Sequence, residues 1–137
     1  MSLASILSDA DLLDWSTALV GFQRGWMTSA EVAVLAVAKI GAEAGPIGRD
    51  LAEVASAEAL MVPDVVDHLA ALSESSAAVD DEIAVRRWLL ASLIELEDQR
   101  RAALAAENAL IDLERGHLSA WVAIYRAAGG GWSRPAR

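Results

Sequence analysis

The sequence predicts an all-α fold, a compact single-domain helical bundle of about six to seven helices built from helical hairpins. Three observations carry that expectation. Apolar residues recur at alternating spacings of three and four through most of the chain, the period of a helix face. Hydroxyl and acidic residues with capping spacing stand just before several of these stripes. Hydrophobic residues make up 55% of 137 positions, enough for a packed core and too many for disorder. The helical domain is expected over residues 1–128, followed by a flexible Gly-rich C-terminal tail over 129–137 that begins Gly129-Gly130-Gly131.

The first long helix is expected to open at Ser8-Asp9-Ala10-Asp11, with Ser8 or Asp9 as the cap and acids in the first turn. Its stripe is Leu12, Trp15, Leu19, Phe22 and Trp26, and Gly25 is its stop. Thr28 and Glu31 then form a capping box, with Met27 and Val32 placed to close a hydrophobic staple. The run Val32 to Ala38 is apolar on all sides, which predicts a buried helix ending between Gly41 and Gly45, before Pro46. A short helix follows through Arg49 to Ala57. Val62-Pro63-Asp64 starts another, because proline fits the first helical turn; its stripe is Val62, Val65, Val66, Leu69 and Leu72. Ser73 to Ser76 reads as a loop.

Asp80-Asp81-Glu82 opens the next helix, with Ile83, Leu90, Leu93 and Ile94 on its apolar side. The pattern breaks at Glu97-Asp98-Gln99-Arg100-Arg101, which favours two helices meeting at a polar turn over one long helix. Ala102 to Arg115 is then helical, Gly116 ends it, and Leu118 to Ala127 is the last helix. Residues 18–28 and 109–119 share one local grammar of helix, Arg-Gly stop, apolar residue and hydroxyl cap. That grammar is common to helix hairpins and does not establish a repeat. Trp15, Trp88 and Trp121 are expected core anchors, and Trp26 is placed to cover a hairpin corner.

Composition excludes several classes of function. The absence of cysteine removes disulfides, thiolate metal sites and cysteine nucleophiles. A formal net charge of −9 without a basic face argues against nucleic acid as a partner. Residues 9–44, taken as two helices, could not read DNA as a helix-turn-helix, because the middle of the second helix is apolar and carries only Lys39. The apolar run at Val32 is too short to span a membrane and no signal-peptide pattern opens the chain, so a cytoplasmic location is expected. Nucleotide, hydrolase and metalloprotease motifs are missing, and no cofactor is implied.

Two polar groups deserve weighing as chemistry. Asp64, Asp67 and His68 share one stretch of helix and could in principle bind a divalent metal, but they lie opposite the apolar stripe, and a solvated face accounts for them. Glu107 and Asp112 with His117 could serve acid–base catalysis, but His117 at a helix end suits the helix dipole, and that structural reading is favoured. The basic pairs at 86–87 and 100–101 have glutamates four residues earlier and read as ordinary helix ion pairs.

One further pattern is a resemblance. Trp15-x-x-Ala18-Leu19-x-Gly21-x-x-x-Gly25-Trp26-Met27-Thr28, followed by Glu31-Val32 and Ala38, resembles a small prokaryotic family, domain-of-unknown-function family 2247. Trp88 and Leu90 would fall on its tryptophan-containing helix. Leu104, Glu107, Leu110-Ile111-Asp112 and His117 would fall on its acidic helix and the turn after it, with Trp121 and Tyr125 on a closing aromatic helix. Leu118 stands where that family's turn holds a proline. The resemblance extends from about residue 9 to residue 126 and brings no catalytic residues with it. It implies a small soluble helical protein, of a kind that turns up beside secreted-toxin systems as a suspected immunity protein.

The functional expectation is a non-enzymatic protein-binding module with a basic partner such as a toxin. Residues 1–70 carry ten acids against three bases, and an acidic surface suits a basic partner. Candidate partner-binding residues are Asp11, Asp14, Asp64 and Asp67, with Trp132 in the tail as a possible anchor for a partner or another subunit. An enzyme at Glu107, Asp112 and His117 and an oligomeric helical scaffold are the rival readings.

Overall fold

A computed structural model of the protein describes residues 2–42 and 48–129. It is all-α, as expected. Among the described residues there are six α-helices, α1 (Leu3–Asp9), α2 (Trp15–Gln23), α3 (Ser29–Ala42), α4 (Arg49–Val54), α5 (Val62–Ser75) and α6 (Asp81–Gly129), with one 3₁₀ turn at Ala57–Ala59 between α4 and α5. The chain divides into two units, residues 1–96 and residues 97–137. The tail beyond Gly129, Trp132 included, lies outside the described residues, as do Gly45 and Pro46.

The first unit holds the core. Helix α2 packs chiefly on α5, α5 also on α4, and α3 on α4 and the 3₁₀ turn. Leu7, Val32, Val54, Val65, Leu69 and Trp88 are its largest sealed apolar side chains. Trp88 reaches it from the start of α6 and donates its indole N–H to the carbonyl of Thr17 at 2.8 Å. Gly21 makes room for that ring, since a Cβ there would stand 2.1 Å from Trp88 Cζ2.

The turn from α2 to α3 follows the sequence closely. Gly25 has φ +73°, and the N–H groups of Trp26 and Gly25 return to the carbonyls of Gly21 and Phe22, a Schellman motif. Trp26 closes this corner at 6.2 Å from the Trp88 ring, with the Arg24 guanidinium 5.5 Å from the Trp26 ring centre. The capping box is reciprocal: Glu31 N donates to Thr28 Oγ1 at 3.3 Å, and Thr28 N donates to Glu31 Oε2 at 2.8 Å. Met27 and Val32 are both buried, as a hydrophobic staple requires. Thr28→Ala should therefore cost about 1 kcal/mol of stability, read as a lower urea midpoint with unchanged slope.

Elsewhere the structure corrects the sequence. An additional helix, α1, occupies the N-terminus with Ser2 as its cap, and the expected cap at Ser8 or Asp9 falls at its end. The cap of α2 is Asp14, which accepts from Thr17 N at 2.7 Å. Helix α3 is buried on one side only: Val32, Leu35 and Ala36 face the core, while Val34 and Val37 are exposed. The short helix after Gly48 stops at Val54 and passes into the 3₁₀ turn. Helix α5 begins with Pro63 in its first turn but continues through the expected loop to Ser75. Its last turn is held at Ser73, whose hydroxyl lies 2.9 Å from that of Ser16 on α2.

The largest correction is α6. It is one helix, with no break at residues 97–101 and no stop at Gly116. Glu97 and Arg101 form an i,i+4 ion pair at 3.1 Å across the stretch that reads as a polar turn, and none of those five residues opposes a helix. Its buried side in the first unit is Ala84, Trp88 and Ala91, while the expected stripe of Ile83, Leu90, Leu93 and Ile94 is exposed. Trp121, expected in a core, is 61% exposed.

Candidate interaction surface

The acidic candidates separate by position. Asp64 and Asp67 are exposed on α5, opposite Val65 and Leu69, which are fully buried. Asp64 stands in the first turn, where a carboxylate suits the positive end of the helix dipole. His68 does not join them. Its Nδ1 pairs with Asp50 Oδ1 of α4 at 2.9 Å, half-buried, and ties α4 to α5. Nothing local in the sequence marks a pair eighteen residues apart. Among the described residues, no group of three or more His, Asp or Glu side chains could hold a metal ion.

Asp11 is exposed in the turn after α1, with φ 55°, a left-handed conformation that aspartate tolerates better than most residues. Asp14 is half-buried and engaged inside the fold rather than offered to a partner. Beyond capping α2, it accepts from Arg87 Nη1, which also donates to Thr17 Oγ1 at 2.9 Å and to the Leu12 carbonyl at 3.1 Å. Burial alone pushes the Asp14 carboxyl up, but the hydrogen bonds from Thr17 and Arg87, with the Arg87 charge, outweigh it and hold it below its usual value of 3.8. The spacing Asp14-x-x-Thr17 signals the cap, whereas the partner Arg87 is visible only in three dimensions.

Asp112 and His117 line one open pocket with Leu113, Glu114 and Gly116, and Glu107 does not join them. The three candidates follow one another at five-residue steps on α6, and at about 100° per residue each step turns the helix by about 140°. All three are exposed, and His117 Nε2 instead accepts a hydrogen bond from Trp121 Nε1 at 3.0 Å. No catalytic constellation forms from them.

Between α1 and α3 lies a groove of about 290 Å³. Its floor is apolar, with Ala4, Leu13 and Leu35, and Asp9 and Glu31 supply its charge. The Glu31 carboxyl is raised by partial burial, but hydrogen bonds from Thr28 and Ser2 lower it by more, so it lies below the ordinary carboxylate range. Among the described residues, no basic side chain lines the groove. No described helix is long and apolar enough to cross a membrane.

No curated protein and no solved structure matches the chain. A family model does, over residues 4–115, which takes in every helix from α1 to α5, the Gly21–Trp88 contact and the Schellman corner at Gly25. The chain thus belongs to the family described as uncharacterized protein conserved in bacteria, DUF2247.

Proposed function

We propose that this protein is a non-enzymatic protein-binding module whose acidic N-terminal unit receives a basic protein, and that its concrete form is an immunity protein that blocks a secreted toxin. The observation that carries the reading is charge. Residues 1–96 hold 15 carboxylates against five lysines and arginines, and the outward carboxylates of Asp64 and Asp67 belong to that unit. Such a field accelerates encounter with a basic partner, while a few desolvated anchors hold the complex. The acid-rimmed groove beside α1 offers an apolar floor for one such anchor. The scattering of Glu107, Asp112 and His117 around α6 weighs against the enzyme alternative.

The test is co-expression with the secreted protein encoded next to this chain, followed by titration of the purified pair over a salt series. Asp64→Lys/Asp67→Lys should slow association at low salt by about tenfold and flatten its salt dependence, with unfolding unchanged. A neighbouring protein that harms no cell, or whose toxicity this chain does not relieve, defeats the immunity reading. Binding that the double reversal leaves unaltered in rate and salt slope defeats the choice of face.

A further inference from the structure

From Glu97 to Gly129, helix α6 runs for 33 residues, and every side chain along it is exposed. Leu104, Ile111, Leu118 and Tyr125 recur at every seventh position and are 49%, 39%, 66% and 81% exposed. Leu110, Leu113, Trp121 and Ile124 widen this into a broad apolar arc, with small residues such as Ala103 and Ala106 between them. Arg101, Asn108, Asp112, Arg115, Ser119 and Arg126 gather on the remaining side, while Glu107, Glu114 and His117 interrupt the apolar arc. A surface of this extent marks an interaction site, and a lone helix draws little stability from propensity alone.

We infer that this segment packs along the same segment of a second copy of the chain. Three observations select that occupant. The first is length: the segment spans about 50 Å at 1.5 Å per residue, and the other described helices are at most 14 residues long, so the element of matching length is another α6. The second is charge. Residues 97–137 carry five acids and six bases, whereas residues 1–96 are strongly acidic, so two like copies approach with least repulsion through this helix. A basic partner is drawn to the other unit instead. The third is area. A contact about 50 Å long and about 10 Å wide, the diameter of a helix, covers roughly 500 Å² on each copy, which reaches the roughly 1,000 Å² total of a specific interface. Recurrence at one position in every seven keeps that position on the seam between two long helices; the second seam position holds Glu107 and Glu114 before Trp121.

This inference stands apart from the toxin reading and survives its failure. Sedimentation and light scattering over a dilution series should give twice 14.5 kDa, or a higher multiple, at tens of micromolar. Leu113→Glu/Ile124→Glu should shift association to at least tenfold higher concentration. Ser119→Glu adds charge on the polar side of the same helix and should leave the mass unchanged. The unpartnered segment could unwind in the double variant, so amide exchange on the unaltered protein supplies the second measurement: protection at residues 100–126 should rise with concentration, and protection at Trp88 and Leu69 should not. A monomer at 100 µM overturns the inference. So does an oligomer that the double variant leaves intact, equal weakening by Ser119→Glu, or protection that ignores concentration.

Discussion

Gly21→Ala should lower stability by about 2–3 kcal/mol, against the usual sign for that change in a helix. Alanine normally gains about 1 kcal/mol over glycine inside a helix. Here the added Cβ would lie 2.1 Å from Cζ2 and 2.5 Å from Cε2 of Trp88. The indole cannot swing aside, because its ring is 1% exposed and its N–H is committed to the Thr17 carbonyl. Overpacking of such a site outweighs the propensity gain. Urea unfolding measures it, and a double-mutant cycle attributes it. In a Trp88→Leu background, already less stable, the same Gly21→Ala change should become neutral or favourable.

The second large effect belongs to the ion pair of Arg87 and Asp14. Arg87→Met should cost about 2 kcal/mol, less than the ~3–5 kcal/mol of a fully buried pair, because the two side chains remain 22% and 34% exposed. The variant leaves the half-buried Asp14 carboxylate without its cation and removes a donor from Thr17 and Leu12. Acid should expose the same interaction. The folded-state value of Asp14 is depressed, so its contribution is present in full above the unfolded value, near 3.8, and is lost as pH falls through the lower folded value. Asp14→Asn keeps a capping oxygen but not the charge. Its deficit relative to wild type should be full at pH 6 and should shrink progressively below pH 4, measured by chemical unfolding at each pH.

Local chemistry explains which parts of this architecture could be read without coordinates. Gly25, Thr28, Glu31 and Pro63 act within four residues of themselves, through a left-handed turn, a reciprocal cap and a fixed φ. Each stands where its spacing places it. The misreadings are those in which a distant surface decides. Arg115-Gly116 has the same letters as Arg24-Gly25, yet only Gly25 is followed by residues that enter a core, Trp26 and Met27, and only there does the helix stop. A glycine permits a left-handed end without requiring one. Ile83 and Leu90 satisfy a helical stripe as well as Ala84 and Ala91 do. Burial of Trp88 against Gly21 and Thr17 turns the side with Ala84 and Ala91 inward, and periodicity carries no record of that contact. For the interaction surface, the outward placement of Asp64 and Asp67 follows from the stripe of α5, whereas the inward engagement of Asp14 depends on Arg87, 73 residues away.

The position of Trp88 also sets how late in synthesis the core can close. Helices α1 to α5 end at Ser75, so a nascent chain that has emerged only that far holds their part of the core and lacks Trp88 and Ala91, which complete it. Closing the contact between Thr17 and Trp88 joins points 71 residues apart, and such non-local closure slows folding. The first 80 residues therefore leave the ribosome as an assembly with an apolar hollow, open to chaperones and proteases until the start of α6 arrives. Synonymous changes that alter elongation between Ser75 and Ala91 would lengthen or shorten that window without touching the finished fold.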